Sequence, residues 1–374
     1  MTYQSRKFSI FFALLIFLNV AGCHHSGNGT DRSLAQVDSL LNEEELQQAL
    51  ERLGKIDTMS MSESQTAYYY LLLTQAKYKN YIVSTTDKEI NFAVSYYENS
   101  DDESRYIRAL TYQGAVSEEL GNLEKAVDCY HKAECLASDF DLYYLAYTKM
   151  RLGFLYHIHP IGSKTIALEK FQEAYQLFKA LGDKKYQLSC LVEIGGLYRG
   201  VKDKADSSVL VLNEAFKLAK ELNNSGQMFC IKHAIADYYN VITHQYDSAK
   251  KYALQALEYP IPWPRAHHTL VMAYSNLHQP DSAQYYFDEA PHCESQLDSV
   301  TYFWAKSDLE KAKHNPEAAF KYYLISDSIS DAMLINGLND QLLAVEKKYD
   351  MQTTEMENLN LQSELKNWII AAVA

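Results

Sequence analysis

Residues 126–133 read AVDCYHKA and define a frame that recurs along the chain. The frame has a small residue, a bulky or apolar residue four places on, and usually a second small residue seven places on. Its copies are Ala126/Tyr130/Ala133, Ala167/Phe171/Ala174, Ser208/Leu212/Ala215, Ala249/Ala253/Ala256, Ala283/Phe287/Ala290 and Ala319/Tyr323/Ser326. The copies begin 41, 41, 41, 34 and 36 residues apart. This period predicts a solenoid of stacked helix pairs, an architecture that binds partners more often than it catalyses reactions.

Each copy of the frame is expected on the second helix of a pair. For the first copy, the sequence predicts a helix over Ser104–Leu120 and another over Leu123–Ala137. Gly121, at the turn between them, is expected in the left-handed conformation that ends many helices. A small residue opens the frame because the two helices cross closely there. Gly153 and Gly195 precede the next two frames by 14 and 13 residues and are expected at the same close approach.

A small residue, a tyrosine three places on and then the frame together resemble the tetratricopeptide repeat (TPR). The resemblance covers about residues 62–330, and weaker helix pairs extend it to Ser33. It implies an all-α fold, a right-handed superhelical solenoid over residues 33–330. The segment Pro260–Pro264 holds three prolines in five residues, which no helix interior tolerates. We therefore expect a stiff connector and a change of curvature there.

The TPR resemblance also implies a ligand groove, because the first helix of each pair lines the concave surface in that family. Charged, aromatic and amide groups at the matching positions suit a peptide or a small polar ligand. The alternative is that these residues are structural and contact no ligand. The candidates are Arg108, Glu118, Tyr147, Phe154, His157, Arg199, His233, Asp237, Asn240, Arg265 and His268.

Sequence signals for catalysis are missing. The chain contains no GxSxG, HExxH, P-loop or glycine-rich dinucleotide motif. His157 and His159 have no carboxylate at ligand spacing, so we predict no metal and no cofactor. A net charge of −13 argues against direct binding of nucleic acid. The sequence thus predicts a non-enzymatic module that binds a protein or a peptide.

The N-terminus has the pattern of a targeting segment. Arg6 and Lys7 precede an apolar run over Phe8–Val20, and the segment Val20–Cys23 resembles a bacterial lipobox. We expect a signal peptide over residues 1–22, acylation of Cys23 and a flexible tether over residues 23–32. The alternative is an ordinary signal peptide that contains a cysteine. The favoured interpretation is a lipoprotein anchored to a membrane on the periplasmic side.

The C-terminal region has a different pattern from the repeats. Residues 331–367 are predicted to form a coiled-coil-like helix, in which residues 338–366 are a candidate surface for a homodimer. The uncharged run over Trp368–Ala374 is either an apolar tail or the start of a membrane-spanning helix, and a tryptophan at its beginning favours the span.

A lipid anchor, TPR-like repeats, a coiled-coil-like helix and a span, in this order, resemble the membrane-tethered TPR sensor-regulators common in Bacteroidetes. Residues 67–80 (AYYYLLLTQAKYKN), 326–329 (SDSI) and 346–350 (EKKYD) carry the resemblance. In that family the periplasmic repeats sense a ligand and an output domain follows the span. Because the sequence stops inside the predicted span, we expect the sensor part without its output domain. The alternatives are a periplasmic scaffold lipoprotein and a nutrient-binding outer-membrane lipoprotein of the starch-utilisation D type.

Overall fold

The computed structural model describes residues 29–159, 164–200, 204–292 and 295–333. Within these ranges the chain is predominantly helical and contains no β-strand, which confirms the all-α class. The chain divides into two compact units, unit 1 over residues 1–121 and unit 2 over residues 122–374. The predictions for Cys23, for residues 338–366 and for residues 368–374 lie outside the described ranges. Among the described helices, none is both long and apolar enough to cross a bilayer.

Unit 1 contains five described helices, of 14, 8, 17, 11 and 17 residues in chain order. α1 packs against α2 and α3, whereas α5 packs against α3 and α4. Buried Leu34, Val37 and Leu41 of α1 form a core with Leu53 and Leu72. α1 begins inside the predicted tether. The helices are α1 (Gly29–Asn42), α2 (Leu46–Leu53), α3 (Glu63–Lys79), α4 (Lys88–Glu98) and α5 (Glu103–Glu119).

Unit 2 is a succession of helices in which each helix from α6 to α14 packs against the next. In addition, α13 packs against both α11 and α15. We call α7, α9, α11, α13 and α15 the first helices, and α6, α8, α10, α12, α14 and α16 the second helices. A π-helical turn (Tyr238–Ile242) extends α11. The helices are α6 (Leu123–Phe140), α7 (Leu142–Ile158), α8 (Lys164–Leu181), α9 (Lys184–Tyr198), α10 (Ala205–Glu221), α11 (Ser225–Asp237), α12 (Tyr246–Leu257), α13 (Arg265–Asn276), α14 (Pro280–Asp288), α15 (Gln296–Ala312) and α16 (316–333).

The frame lies on the second helices, as predicted. The opening residues of its first five copies are completely buried, and Ala319 is 8% exposed. The predicted close approach is also confirmed. A Cβ atom added to Gly153 would lie 2.9 Å from the Phe171 ring, and one added to Gly195 would lie 2.7 Å from Leu212.

Serine replaces alanine in the third copy of the frame because its hydroxyl finds a partner at the helix crossing. Ser208 Oγ donates a hydrogen bond of 2.7 Å to the backbone carbonyl of Gly195. In the last pair the donor hydroxyl lies on the first helix instead of the second. Ser307 Oγ of α15 donates a hydrogen bond of 2.8 Å to the backbone carbonyl of Ala319 in α16. A small hydroxyl therefore fits the crossing without leaving a buried polar group unpaired.

The connections follow the turn chemistry of the sequence. Gly121 has a φ of +75°, which confirms the predicted left-handed turn. The connection at Pro260–Pro264 is non-helical, as predicted, and the change of curvature there stays a prediction. Two copies of the frame are imperfect. Ala290 lies beyond the end of α14, and Tyr323 of α16 is 47% exposed.

Candidate ligand-binding surface

Polar side chains link consecutive first helices of unit 2. Every link joins residues 33 to 38 positions apart, which is about one repeat. We call this set the polar row. Its links are His157 Nδ1 to Glu193 Oε2 (3.1 Å), Arg199 Nη1 to Asp237 Oδ2 (3.0 Å), His233 Nε2 to Thr269 Oγ1 (3.3 Å), Arg265 Nε to Asp298 Oδ1 (2.8 Å) and His268 Nδ1 to Thr301 Oγ1 (2.9 Å).

Six of the eleven candidate residues lie in the polar row, namely His157, Arg199, His233, Asp237, Arg265 and His268. Their partners Glu193, Thr269, Asp298 and Thr301 were not predicted. The signal that could have found them is the repeat period, because each lies about one repeat beyond its partner.

The centre of the polar row holds a neutral histidine among charged groups. Burial lowers the pKa of His233, and the cations of Arg199 and Arg265 lower it further, whereas Asp237 raises it. The ring also stacks on Phe229, with a centroid distance of 6.3 Å and an interplanar angle of 9°. His233 therefore acts as a hydrogen-bonding group rather than as a cation near neutral pH.

The end of the polar row is organised by α13 and α15. His268 is completely buried, and burial lowers its pKa to about 4 in spite of nearby Asp298. Burial raises the pKa of Asp298, but hydrogen bonds from Arg265 and Ser295 outweigh this effect, so that its pKa is lowered overall. At neutral pH this end of the row carries one guanidinium, one carboxylate and one neutral imidazole.

Two arginine side chains of the polar row are partly exposed, so a ligand can reach them. The side chains of Arg199 and Arg265 are 32% and 40% exposed. Within the described residues, each guanidinium donates to one carboxylate through a single nitrogen. A guanidinium has five N–H donors in a fixed plane, so each arginine can hold its carboxylate partner and contact a further acceptor.

The structure places the other candidates elsewhere. Tyr147 and Phe154 pack into the core of α7, α8 and α9, and Phe154 meets Phe171 edge-to-face at 5.0 Å. Asn240 is buried in the π-helical turn. In unit 1, Glu118 is partly buried at the end of α5.

Arg108 is a structural residue of unit 1. Its side chain is buried, its Nε donates to Gln75 Oε1 at 2.6 Å, and its Nη2 pairs with Asp38 Oδ1 at 2.7 Å. The guanidinium lowers the pKa of Asp38 against the raising effect of burial. Arg108 therefore joins α5 to α3 and α1 and lies outside the polar row.

The helix pairs of unit 2, with a buried small residue at the crossings, have a TPR-like helical-repeat fold. No protein-family model matches the sequence, and no curated protein matches it. Solved structures of similar fold include the apo form of RapI (TM-score 0.63, 13% identity, covering 82% of this chain and 98% of that one).

Two further structures share this fold. NprR in complex with its cognate peptide NprX has a TM-score of 0.55 and 14% identity, over 80% of this chain and 89% of that one. A signal transduction ATPase with a tetratricopeptide repeat sensor, from Pyrococcus horikoshii, has a TM-score of 0.63 and 15% identity over 83% of this chain. The match covers 49% of the ATPase, so this chain corresponds to about half of it. Identities this low establish the shared fold alone.

Proposed function

We propose that this chain is a non-enzymatic TPR-like module that binds a peptide or a protein segment along the polar row of unit 2. The observation that carries the proposal is the pair of partly exposed arginines, Arg199 and Arg265, each already oriented by a carboxylate. Side chains held in place by neighbours lose little rotamer freedom on binding, which favours affinity. Arginine is also enriched among the residues that dominate binding energy.

The fold is consistent with this proposal. NprR has a similar fold and its structure is in complex with its cognate peptide, and the ATPase from Pyrococcus horikoshii has a tetratricopeptide repeat sensor. A peptide main chain offers carbonyl oxygens at regular intervals, and a C-terminus or acidic side chain offers a carboxylate. Both are acceptors for the guanidinium N–H groups that the row leaves accessible.

The test is a peptide-display selection on the purified full chain, followed by fluorescence anisotropy with the selected peptides. Replacing both arginines, Arg199→Gln together with Arg265→Gln, is expected to weaken binding by about tenfold or more, because each contact to a charged group contributes more than 1 kcal/mol. The matched control is Lys184→Gln on α9, which removes an exposed cation that pairs with Glu221 away from the row. Peptides that bind the double variant and the wild type equally would refute this site.

The proposal includes a membrane-tethered sensor role, which rests on the N-terminal sequence pattern. We propose acylation of Cys23 and a periplasmic location for the repeats. Metabolic labelling with an alkyne fatty acid should tag the wild type and leave Cys23→Ala untagged. Labelling of both forms to the same extent would contradict acylation at Cys23.

A further inference from the structure

Three equivalent crevices follow one another along unit 2, each between two consecutive second helices and floored by the first helix between them. Crevice I lies between α6 and α8 over α7, crevice II between α8 and α10 over α9, and crevice III between α10 and α12 over α11. The 41-residue period makes their lining residues directly comparable. Equivalent wall positions, 41 residues apart, are Glu134/Tyr175/Phe216, Lys170/Val211/Tyr252 and Glu173/Glu214/Gln255. On the floor, Lys149 corresponds to Leu191, 42 residues on, because each lies four residues before the glycine of the helix crossing, Gly153 or Gly195, and Leu191 corresponds to Lys232, 41 residues on.

Crevice I is filled by its own lysines. Lys149 rises from the floor and its Nζ contacts Glu134 Oε1 at 2.6 Å and also Glu173. Lys170 Nζ reaches the same Glu134 oxygen at 2.6 Å. Burial raises the pKa of Glu134, but the two lysines outweigh it and lower the pKa overall. Two ammonium groups therefore compensate two carboxylates in this crevice.

Crevice III is also filled by a lysine from its floor. Lys232 Nζ lies 4.1 Å from the centroid of the Phe216 ring and 5.2 Å from that of Tyr252. These are cation–π distances, and aromatic faces replace the carboxylates of crevice I as partners of the ammonium group. In both crevices the lysine ammonium group therefore contacts side chains of both second helices.

Crevice II has no lysine on its floor and keeps one of the two acids of crevice I, because Glu214 corresponds to Glu173 whereas Tyr175 replaces Glu134. Its floor residue is Leu191, its wall has Val211 where crevice I has Lys170, and a cavity of about 490 Å³ opens between the helices. This volume lies within the range of small-molecule sites, roughly 300–1,000 Å³. The cavity is lined by Gln172, Glu173, Tyr175, Gln176, Leu191, Ile194, Tyr198, Val211 and Glu214.

The lining of crevice II is apolar below and carries the Glu214 carboxylate at the rim, while its other acid, Glu173, already pairs with Lys149 of crevice I. Leu191 and Ile194 are each 4% exposed and form the floor. Tyr175 donates its hydroxyl proton to Glu214 Oε1 at 2.8 Å, which fixes this carboxylate at the wall. Burial and the neighbouring Glu214 raise the pKa of Tyr175 to about 12, so the hydroxyl stays a donor. No lysine, arginine or histidine is among the residues that line the cavity.

We propose that crevice II is a receptor site for an alkylammonium group, supplied by the lysine side chain of a polypeptide or by a free aliphatic amine. The alkyl chain lies on Leu191, Ile194 and Val211, and the ammonium group meets the Glu214 carboxylate at the rim. The ligand thus takes the place that Lys149 and Lys232 fill in the neighbouring crevices. A net charge of −13 favours the approach of a cation. This site is separate from the polar row and does not depend on the function proposed there.

The test uses the full chain and three probes at millimolar concentration, followed by saturation-transfer NMR. The probes are Nα-acetyl-lysine N-methylamide, 1,5-diaminopentane and Nα-acetyl-norleucine N-methylamide, which keeps the alkyl chain and lacks the charge. Both amines are expected to bind, and the norleucine probe about tenfold more weakly, because it cannot form the charge-assisted hydrogen bond. A lysine probe that binds more tightly than the diamine identifies a polypeptide as the source, and the reverse order identifies a free amine.

Two variants decide the location of the site. Leu191→Lys supplies an internal ammonium group, as in crevices I and III, and should abolish binding of both amines. Glu214→Gln keeps the shape of the wall and should weaken binding by about tenfold. The matched control is Glu221→Gln, which removes an exposed acid from the same helix and should leave binding unchanged. The proposal is overturned if neither amine binds, if norleucine binds equally well, or if Glu214→Gln binds as the wild type does.

Discussion

Acidification is expected to destabilise unit 2 through His268. The ring is completely buried on α13, where it bonds to Thr301 and meets Tyr302 edge-to-face at 5.9 Å. Burial lowers its pKa from 6.5 to about 4, and Asp298 opposes this effect only in part. Unfolding returns the ring to water and restores the ordinary pKa, so the unfolded chain binds more protons between these two values. The contribution of His268 is therefore complete above pH 6.5 and is lost as the pH falls towards 4.

The magnitude follows from the two pKa values. Between pH 7 and pH 5, the linkage relation gives a loss of about 2 kcal/mol in the free energy of unfolding from this one ring. Burial also lowers the pKa of His233 and His267, which adds a loss in the same direction. Carboxylates with a lowered pKa, such as Asp298, add their losses mostly at lower pH.

The assay is urea unfolding at pH 7 and at pH 5, followed by far-ultraviolet circular dichroism. The comparison variant is His268→Asn, because the asparagine amide lies near the position of Nδ1, retains a partner for Thr301 and does not titrate. The wild type should lose about 2 kcal/mol more than this variant between the two pH values. Equal losses in the two proteins would refute the assignment of a buried, neutral His268.

Three substitutions test the packing of the repeats. Gly195→Ala places a Cβ atom 2.7 Å from Leu212 and should cost about 1–3 kcal/mol, measured by chemical unfolding. Ser208→Ala removes the hydroxyl that bonds to the Gly195 carbonyl and should cost about 1 kcal/mol in the same assay, and no loss would contradict that bond. In unit 1, Arg108→Met leaves Asp38 without its guanidinium partner and should cost about 3–5 kcal/mol, and a thermal midpoint equal to that of the wild type would contradict a buried ion pair.

The second helices could be predicted from the sequence because only one face of each helix is buried in the core. Ala167, Phe171 and Ala174 lie on one face of α8 and are all completely buried, so a single stripe identifies the core. The turn at Gly121 and the connector at Pro260–Pro264 could also be predicted, because local backbone chemistry decides the structure at both places. These features depend on residues close together in the sequence.

The faces of the first helices could not be predicted in this way. Among the first helices, α7 is buried from Leu145 to Thr148 without interruption, and α5 of unit 1 is likewise buried from Tyr106 to Ser117. A helix that is buried on all sides has no polar stripe to mark a groove. The sequence therefore predicts a groove position for Tyr147 and Phe154, whereas the structure packs both into the core. The partners in the polar row lie about one repeat away along the chain, so the repeat period indicates them and a local pattern does not.

The two proposed sites use different faces of the same helix, α9. Glu193 of α9 belongs to the polar row, and Leu191 of the same helix forms the floor of crevice II. Two helical positions differ by about 200° around the axis, so the two side chains point to nearly opposite sides of α9. Replacement of Arg199 and Arg265 should therefore weaken peptide binding and leave the alkylammonium probes unaffected, and Leu191→Lys should have the opposite effect. If each change affected both ligands, the two sites would be coupled through α9 and would not be independent.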